Sequence, residues 1–252
     1  MLTKIFSTFV NIINLNKFLP RIRKYTLWHI YKPTKVLVLN KTFYLVANNK
    51  FKNKNFYGYL PSRDLYAYRK NYNLAEQKLI FSKVKNNYNC IDIGSNIGFY
   101  SYLFLLANGF NGNIYSFEAC SFTFKKLKKN FINYKNVKLF NGYVGIEKKN
   151  IIIEEFIKEK INFIKIDIDG TELLALKSCK NILKKYKPDI LFEISENSKK
   201  TFNISYIETI KYLNDLKYRV FEFKIKQNMI EYKIFKKSLK KNEVINLYAK
   251  SC

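Results

Sequence analysis

A chain of 252 residues, 48% hydrophobic and 17% aromatic, can bury a sizeable core. That excludes a disordered polar chain and suits one α/β domain with a modest extension. Against 19 Asp and Glu stand 46 Lys and Arg, a net charge of +27. Such a field attracts phosphates, nucleic acids and anionic membranes. The lysines form no single block in a chain rich in Lys, Asn, Ile and Tyr throughout. The charge therefore reads as compositional, and no specific nucleic-acid partner is expected.

The first thirty residues hold no apolar run near the roughly 18 residues that a spanning helix needs and no small-residue cleavage site. Leu2, Phe6, Phe9, Val10 and Ile13 share one helical face, followed by Arg21, Arg23 and Lys24. Packing of that face on the domain is the expectation; contact with an anionic membrane surface is the alternative. Cys90, Cys120, Cys179 and Cys252 are widely spaced, with no CxxC pair for zinc. Cys90 and Cys179 sit in apolar segments and read as small core residues. Nothing implies disulfides, which fits a cytoplasmic protein.

"KVLVLNKTFYLVANN" predicts a hairpin turning near Asn40-Lys41. Residues 1–72 are expected to form a small extension, helical and then a β-hairpin, packed on a domain of residues 73–252. "NLAEQKLIFSKVK" is helical, with Asn73 and Glu76 spaced as a capping box. Strand "NCIDIG" leads into a helix from about Ile97 to Asn108, stopped by Gly109. Strand "NIYSFE", a helix opened by Ser121 and strand "VKLFN" follow. "INFIKIDI" is a strand, "TELLALKSCKNILKKY" a helix closed before Pro188, and "DILFEIS" a strand. A helix over roughly Ile204 to Lys217 precedes late strands "YRVFEF" and "VINLYA". Alternation of strand and helix from 90 to 194 predicts a mostly parallel sheet with helices on both faces. Ligands bind such sheets outside the carboxyl ends of the strands.

Those ends carry acids: Asp92, Glu118 and Asp167. A dinucleotide turn, G-x-G-x-x-G, would need glycine where Asn96 and Phe99 stand. The D-x-G-x-x-x-G spacing of Asp92, Gly94 and Gly98 suits S-adenosylmethionine, which carries no phosphate. Glu118, at the next strand end, can accept hydrogen bonds from both ribose hydroxyls. The expected cofactor-binding set is Asp92, Gly94, Ser95, Asn96, Gly98, Glu118 and Asn141.

Nine of the 19 acids fall between Glu154 and Glu196. Asp169 and Glu172 have the spacing of a capping box. Asp167 emerges at the crevice after "INFIKI" and is the candidate base or acceptor-binding group. Lys165 shares its strand parity, and Glu193 ends the next strand, so these two complete the candidate catalytic set. Pairing of Asp167 with Lys165 for structure alone is the competing reading. Asp167, Asp169 and Glu193 are also a candidate Mg²⁺ set, although no metal is expected. The single histidine, His29, lies outside the sheet region.

"CIDIGSNIGFYSYLFL", "IYSFEA", "INFIKIDIDGTELLALKSCKNIL" and "KPDILFEI" resemble, in order and spacing, the FkbM-type S-adenosylmethionine-dependent methyltransferases. The pattern of that family is D-x-G-A-N-x-G-x-x-S, F-E-P, K-I-D-x-E-G-x-E and P-x-x-x-x-E. The resemblance covers about residues 73 to 195, and the K-I-D block is its most specific part. Ser95 stands for the usual alanine, Ala119-Cys120 for the proline after the acid, and Asp169 for the usual glutamate. The resemblance implies a Rossmann-like methyltransferase fold. It also implies O-methylation of a hydroxyl on a glycan or other small metabolite. An RNA or DNA methyltransferase is the rival, weakened by the absence of an N-P-P-Y or D-P-P-Y stretch and of a Pro-Cys nucleophile. A non-enzymatic basic protein that binds glycans or membranes is a second.

Overall fold

The computed structural model describes residues 73–227 and 229–252, and the backbone of three short strands between residues 34 and 57. The amphipathic face of the first residues and His29 lie outside the described residues. The chain divides into two compact units, residues 1–72 and 73–252.

In the first unit, β1 (Thr34–Val38) and β2 (Lys41–Val46) pair antiparallel with Val38 opposite Lys41, the expected hairpin. Lys41 is already in the second strand. The short β3 (Phe56–Tyr57) adds in parallel to β2.

The second unit begins with α1 (Leu74–Lys83), β4 (Cys90–Ile93), α2 (Phe99–Ala107) and β5 (Ile114–Glu118). It continues through α3 (Ser121–Asn130), β6 (Val137–Asn141), the short α4 (Ile153–Phe156) and β7 (Phe163–Ile166). Then come α5 (Glu172–Ser178), α6 (Lys180–Tyr186) and β8 (Asp189–Ser195). The chain ends with α7 (Ser198–Phe202), α8 (Tyr206–Asp215), β9 (Tyr218–Lys226), β10 (Met229–Ile234) and β11 (Val244–Ser251).

The strands form one eight-stranded sheet in the order β10-β9-β11-β8-β7-β4-β5-β6. The run β8-β7-β4-β5-β6 is parallel, and β11 lies antiparallel between β8 and β9. This is a Rossmann-like sheet in which β4 leads to β5 on one side and has β7 on the other. The strand order therefore reverses between β4 and β7. At such a point the crossovers leave to opposite faces, and a crevice opens beyond the strand ends.

Strand residues are buried on both faces, as parallel sheets require. One face carries Ile91, Ile93, Ile164, Ile166, Ile190 and Phe192, packed with Ala175, Leu176, Ile182, Leu183 and Leu213 of α5, α6 and α8. The alternate residues meet α2: Ser101 bonds Asp92, and the rings of Phe104 and Phe163 lie 5.5 Å apart. Asp92 sits directly opposite Lys165 across the β4–β7 pair, so both share this second face.

Several expectations change. The helix expected over "TELLALKSCKNILKKY" breaks at Cys179, whose φ of −123° and ψ of 27° are not helical. The first expected capping box does not form: Asn73 is an N-cap in the left-handed region with no side-chain cap bond. Its amide donates instead to Tyr100 Oη at 2.6 Å. The second does not form either. Thr171 is the N-cap of α5, Asp169 is left-handed, and Glu172 accepts from the Gly170 amide at 3.0 Å. The box that does form is Ser205–Glu208 at the start of α8. Helix α2 is shorter than expected, but Gly109 does stop it, at a φ of +67°.

Candidate active site

The turn after β4 is fixed by backbone bonds to both neighbouring strands. The amides of Gly94 and Ser95 donate to the Phe117 carbonyl at 2.9 Å, and the Asp167 amide donates to the Ile93 carbonyl at 2.9 Å. Gly94 has a φ of +80°, and any Cβ there would strike the backbone of Asp167. Only glycine lets β4 and the end of β7 come this close while the chain turns. Asn96, also left-handed, is exposed on the turn, and Gly98 is the N-cap of α2.

Asp92 lies beneath the turn and is 1% exposed. Its Oδ2 accepts from Ser101 Oγ at 2.5 Å, while Oδ1 has no partner. Burial pushes this carboxyl up to about 6, because the charged form is the costlier one to desolvate. Ser95 is also buried, with its hydroxyl bonded to the Asp92 carbonyl at 2.7 Å. These two residues carry the turn from below.

Glu118 closes the far side. Its Oε2 accepts from the Asn96 amide and its Oε1 from the Cys120 amide, each at 2.8 Å. The carboxylate thus clamps the glycine turn to the loop after β5. A carboxylate has about four acceptor sites, so each oxygen keeps capacity for a further donor. Burial raises this carboxyl, and the backbone bonds oppose the shift. Asn141 stands opposite Glu118 in the sheet and donates to its carbonyl at 2.8 Å. Asn141 also accepts from Ser121 Oγ at 3.0 Å, so it ties the ends of β5, β6 and α3 together.

Beyond β7 lies a group of acids around one buried cation. Lys165 is fully buried; its Nζ lies 3.0 Å from Asp167 Oδ2, 3.3 Å from the Ile166 carbonyl and 4.9 Å from the centre of the Tyr100 ring. The Asp167 side chain is 33% exposed, so it reaches the crevice while Lys165 does not. Glu193, half-buried on β8, is pushed up to about 8 by burial first and then by the Asp167 charge. Asp169 and Glu172 add to that repulsion, and Lys165 opposes it. Glu76 of α1 faces the same group: burial raises its carboxyl, and Lys165 and a hydrogen bond from Asn246 counter this. Asn246 is directly opposite Glu193 on β11.

The structure therefore brings Asp167, Lys165 and Glu193 together, and sets Gly94, Asn96 and Glu118 on the adjoining wall. Glu76, Tyr100 and Asn246 were missed from the sequence. The spacing of Glu76 from Asn73 suits a cap, and nothing in that turn shows that α1 packs against the sheet here. Among the described residues, no group of three His, Cys, Asp or Glu is arranged to hold a metal ion.

A family model described as the methyltransferase FkbM domain matches residues 139–220. That span holds Lys165, Asp167, Asp169, Glu172 and Glu193; the glycine turn and Glu118 precede it. No curated protein matches the chain. Among solved structures, a precorrin-6Y C5,15-methyltransferase from Geobacter metallireducens is 16% identical, over 70% of this chain and 86% of its own, with a TM-score of 0.47. The methyltransferase FkbM of Methylobacillus flagellatus is 15% identical over 74% of this chain and 54% of its own, with a TM-score of 0.46. Aeropyrum pernix fibrillarin, solved with natively bound S-adenosyl-L-methionine, is 16% identical over 66% of this chain and 68% of its own, with a TM-score of 0.47. The resemblance read from the motifs holds: from β6 to the start of β9 the chain matches the FkbM methyltransferase domain.

Proposed function

We propose that this chain is an S-adenosylmethionine-dependent methyltransferase that acts on a hydroxyl of a glycan or other small metabolite. The observation that carries this reading is the meeting, at the β4–β7 switch point, of a glycine turn without the dinucleotide spacing, Glu118 and the crevice-facing Asp167. The match to an FkbM domain over the acid-bearing half supports it.

When bound, S-adenosylmethionine supplies a methyl group already activated on a sulfonium. The residues fit that group: Glu118, clamped beside the glycine turn by two amides, keeps acceptor capacity for ribose hydroxyls. Much of the rate then comes from alignment, which is worth roughly 7–11 kcal/mol for well-oriented reactants. Lys165 holds Asp167 Oδ2, which leaves Oδ1 to take the acceptor's hydroxyl proton. A positioned base contributes about 10²–10⁴-fold. Lys165 acts through Asp167, because it is itself buried.

The test is transfer of a tritiated methyl group from labelled donor into separated pools of glycans, small metabolites and RNA. Label in the glycan or metabolite pool that survives mild alkali, as an ether does and an ester does not, supports the reading. Label confined to RNA at physiological salt would overturn it in favour of the nucleic-acid rival.

A further inference from the structure

Helix α7 (Ser198–Phe202) joins the end of β8 to the turn that follows β7. The buried Ser198 donates its hydroxyl to the Ser195 carbonyl at the end of β8. The Asn203 amide closes the helix on the Lys199 carbonyl at 3.0 Å, with Asn203 in the left-handed region. Between these anchors Phe202 lies over Gly170. A Cβ at Gly170 would stand 2.9 Å from Phe202 Cδ2, 3.1 Å from its Cε2 and 3.0 Å from Ser198 Cβ. Gly170, at a φ of +121°, thus leaves room for one edge of the ring. The rest stays open, for Phe202 is 43% exposed. Single exposed apolar side chains are ordinary on a surface; this one is fixed beside the crevice.

Glu118 ends β5 on one flank of the glycine turn, while Asp167 follows β7 and Glu193 lies on β8 on the other. Asp169, the residue before Gly170, is exposed, and its charge bears on both Glu118 and Glu193. It therefore stands between the two flanks, with the Phe202 ring at its side. Lys165 is buried and committed to Asp167 at 3.0 Å, so it offers no charge to an incoming anion. Carboxyl groups accept from hydroxyls and, when charged, repel anions. Lys199 and Lys200 of α7 are exposed, where solvent and salt screen their charge.

We propose that Phe202 is a specificity-determining residue for the acceptor. The open face of its ring is the platform for the apolar face of an uncharged, hydroxyl-bearing ring. The carboxyl groups beside it disfavour acceptors that carry phosphate, sulfate or carboxylate. The inference rests on the methyltransferase reading and narrows its acceptor. A sugar, through the C–H bonds of one face, and a phenolic ring, through its π face, share this chemistry.

Saturation-transfer NMR titration of the full chain loaded with S-adenosylhomocysteine tests this at neutral pH and physiological salt. The probes are methyl mannoside and methyl glucoside as neutral sugars, catechol as a neutral aromatic, and mannose phosphate and methyl glucuronide as anions. At least one neutral probe should bind, and each anion should bind more weakly than its neutral sugar. Binding of a sugar without catechol identifies a sugar acceptor, and the reverse an aromatic one. In Phe202→Ala the affinity of the bound probe should fall about three- to tenfold, with that of S-adenosylhomocysteine unchanged. Phe202→Tyr, which keeps the ring, should bind the probe like the wild type. Should Phe202→Ala fail to fold, Phe202→Leu keeps apolar bulk without a flat face and should show the same loss. An anion bound as tightly as its neutral partner, no neutral probe bound, or unchanged probe affinity in the folded variant would overturn the proposal. In each of those results S-adenosylhomocysteine still binds; a wild type that does not bind it would overturn the cofactor reading, and this inference with it.

Discussion

Replacing Gly94 by alanine adds one methyl group at the point where β4 meets β7. Its Cβ would lie 2.8 Å from the Asp167 carbonyl carbon and 2.8 Å from Ile168 Cγ2, with the Asp167 oxygen closer still. Ordinary contacts there begin near 3.4 Å. Backbone cannot rotate away as a side chain does, so the strand ends must part by roughly 1 Å, and such overpacking costs about 1–3 kcal/mol. Alanine at a φ of +80° adds about 1–2 kcal/mol of its own. The sum, about 2–5 kcal/mol, should lower the melting temperature by roughly 5–15 °C. The displacement falls between the turn and Asp167, and a misplacement of about 1 Å can cost about 10²-fold in rate. Gly109→Ala is the control. It also has a positive φ, but its Cβ would meet the Asn86 side chain at the other end of α2. It should cost stability and spare donor binding. Thermal unfolding and donor titration of the two variants check this. A Gly94→Ala protein that melts and binds like the wild type would refute the close approach of β4 and β7.

Asp167→Asn keeps size and hydrogen bonding but takes no proton, so donor affinity should stay near the wild-type value while turnover falls about 10²-fold or more; unchanged turnover on an established acceptor would remove Asp167 as the base. Ser101→Ala takes away the hydroxyl that donates to the buried Asp92 carboxyl; chemical denaturation should show a loss of about 1–3 kcal/mol, and no loss would mean the bond contributes nothing. Glu193 binds its proton more tightly in the folded state, where it is raised to about 8, than in the unfolded chain near 4.5. Its stabilising contribution is complete below the unfolded value and is lost as pH rises through the folded one, so the melting temperature should drop between about pH 5 and 8. Glu193→Gln should flatten that drop, and identical slopes would contradict the assignment.

The parallel core was legible because its strands are short apolar runs cut by turn residues, and "CIDIGSNIG" carries its bend in glycines that the backbone cannot do without. Lys165 and Asp167 were legible as a pair because strand parity places them on one face. What the sequence could not convey is how α1 sits. Asn73 and Glu76 have the spacing of a cap, yet the Asn73 amide donates to Tyr100 instead, and no side-chain cap forms. The break at Cys179 was hidden by good helix formers on both sides. Strand β10 was missed because its residues are mostly exposed and carry no apolar face for pattern reading to find.

Donor binding by the wild type and by Glu118→Ala tests the central claim most directly. Calorimetry of the full chain with S-adenosylmethionine should give saturable one-site binding, with NADH giving none. Glu118 accepts the Asn96 and Cys120 amides, and under this account also the ribose hydroxyls. Hydrogen bonds to a charged group are worth about 1.5–3 kcal/mol each, so the alanine variant should bind tenfold to a few hundredfold more weakly. Circular dichroism should show its sheet retained. No saturable binding of S-adenosylmethionine to the wild type, or equal affinity in the folded variant, would contradict the account.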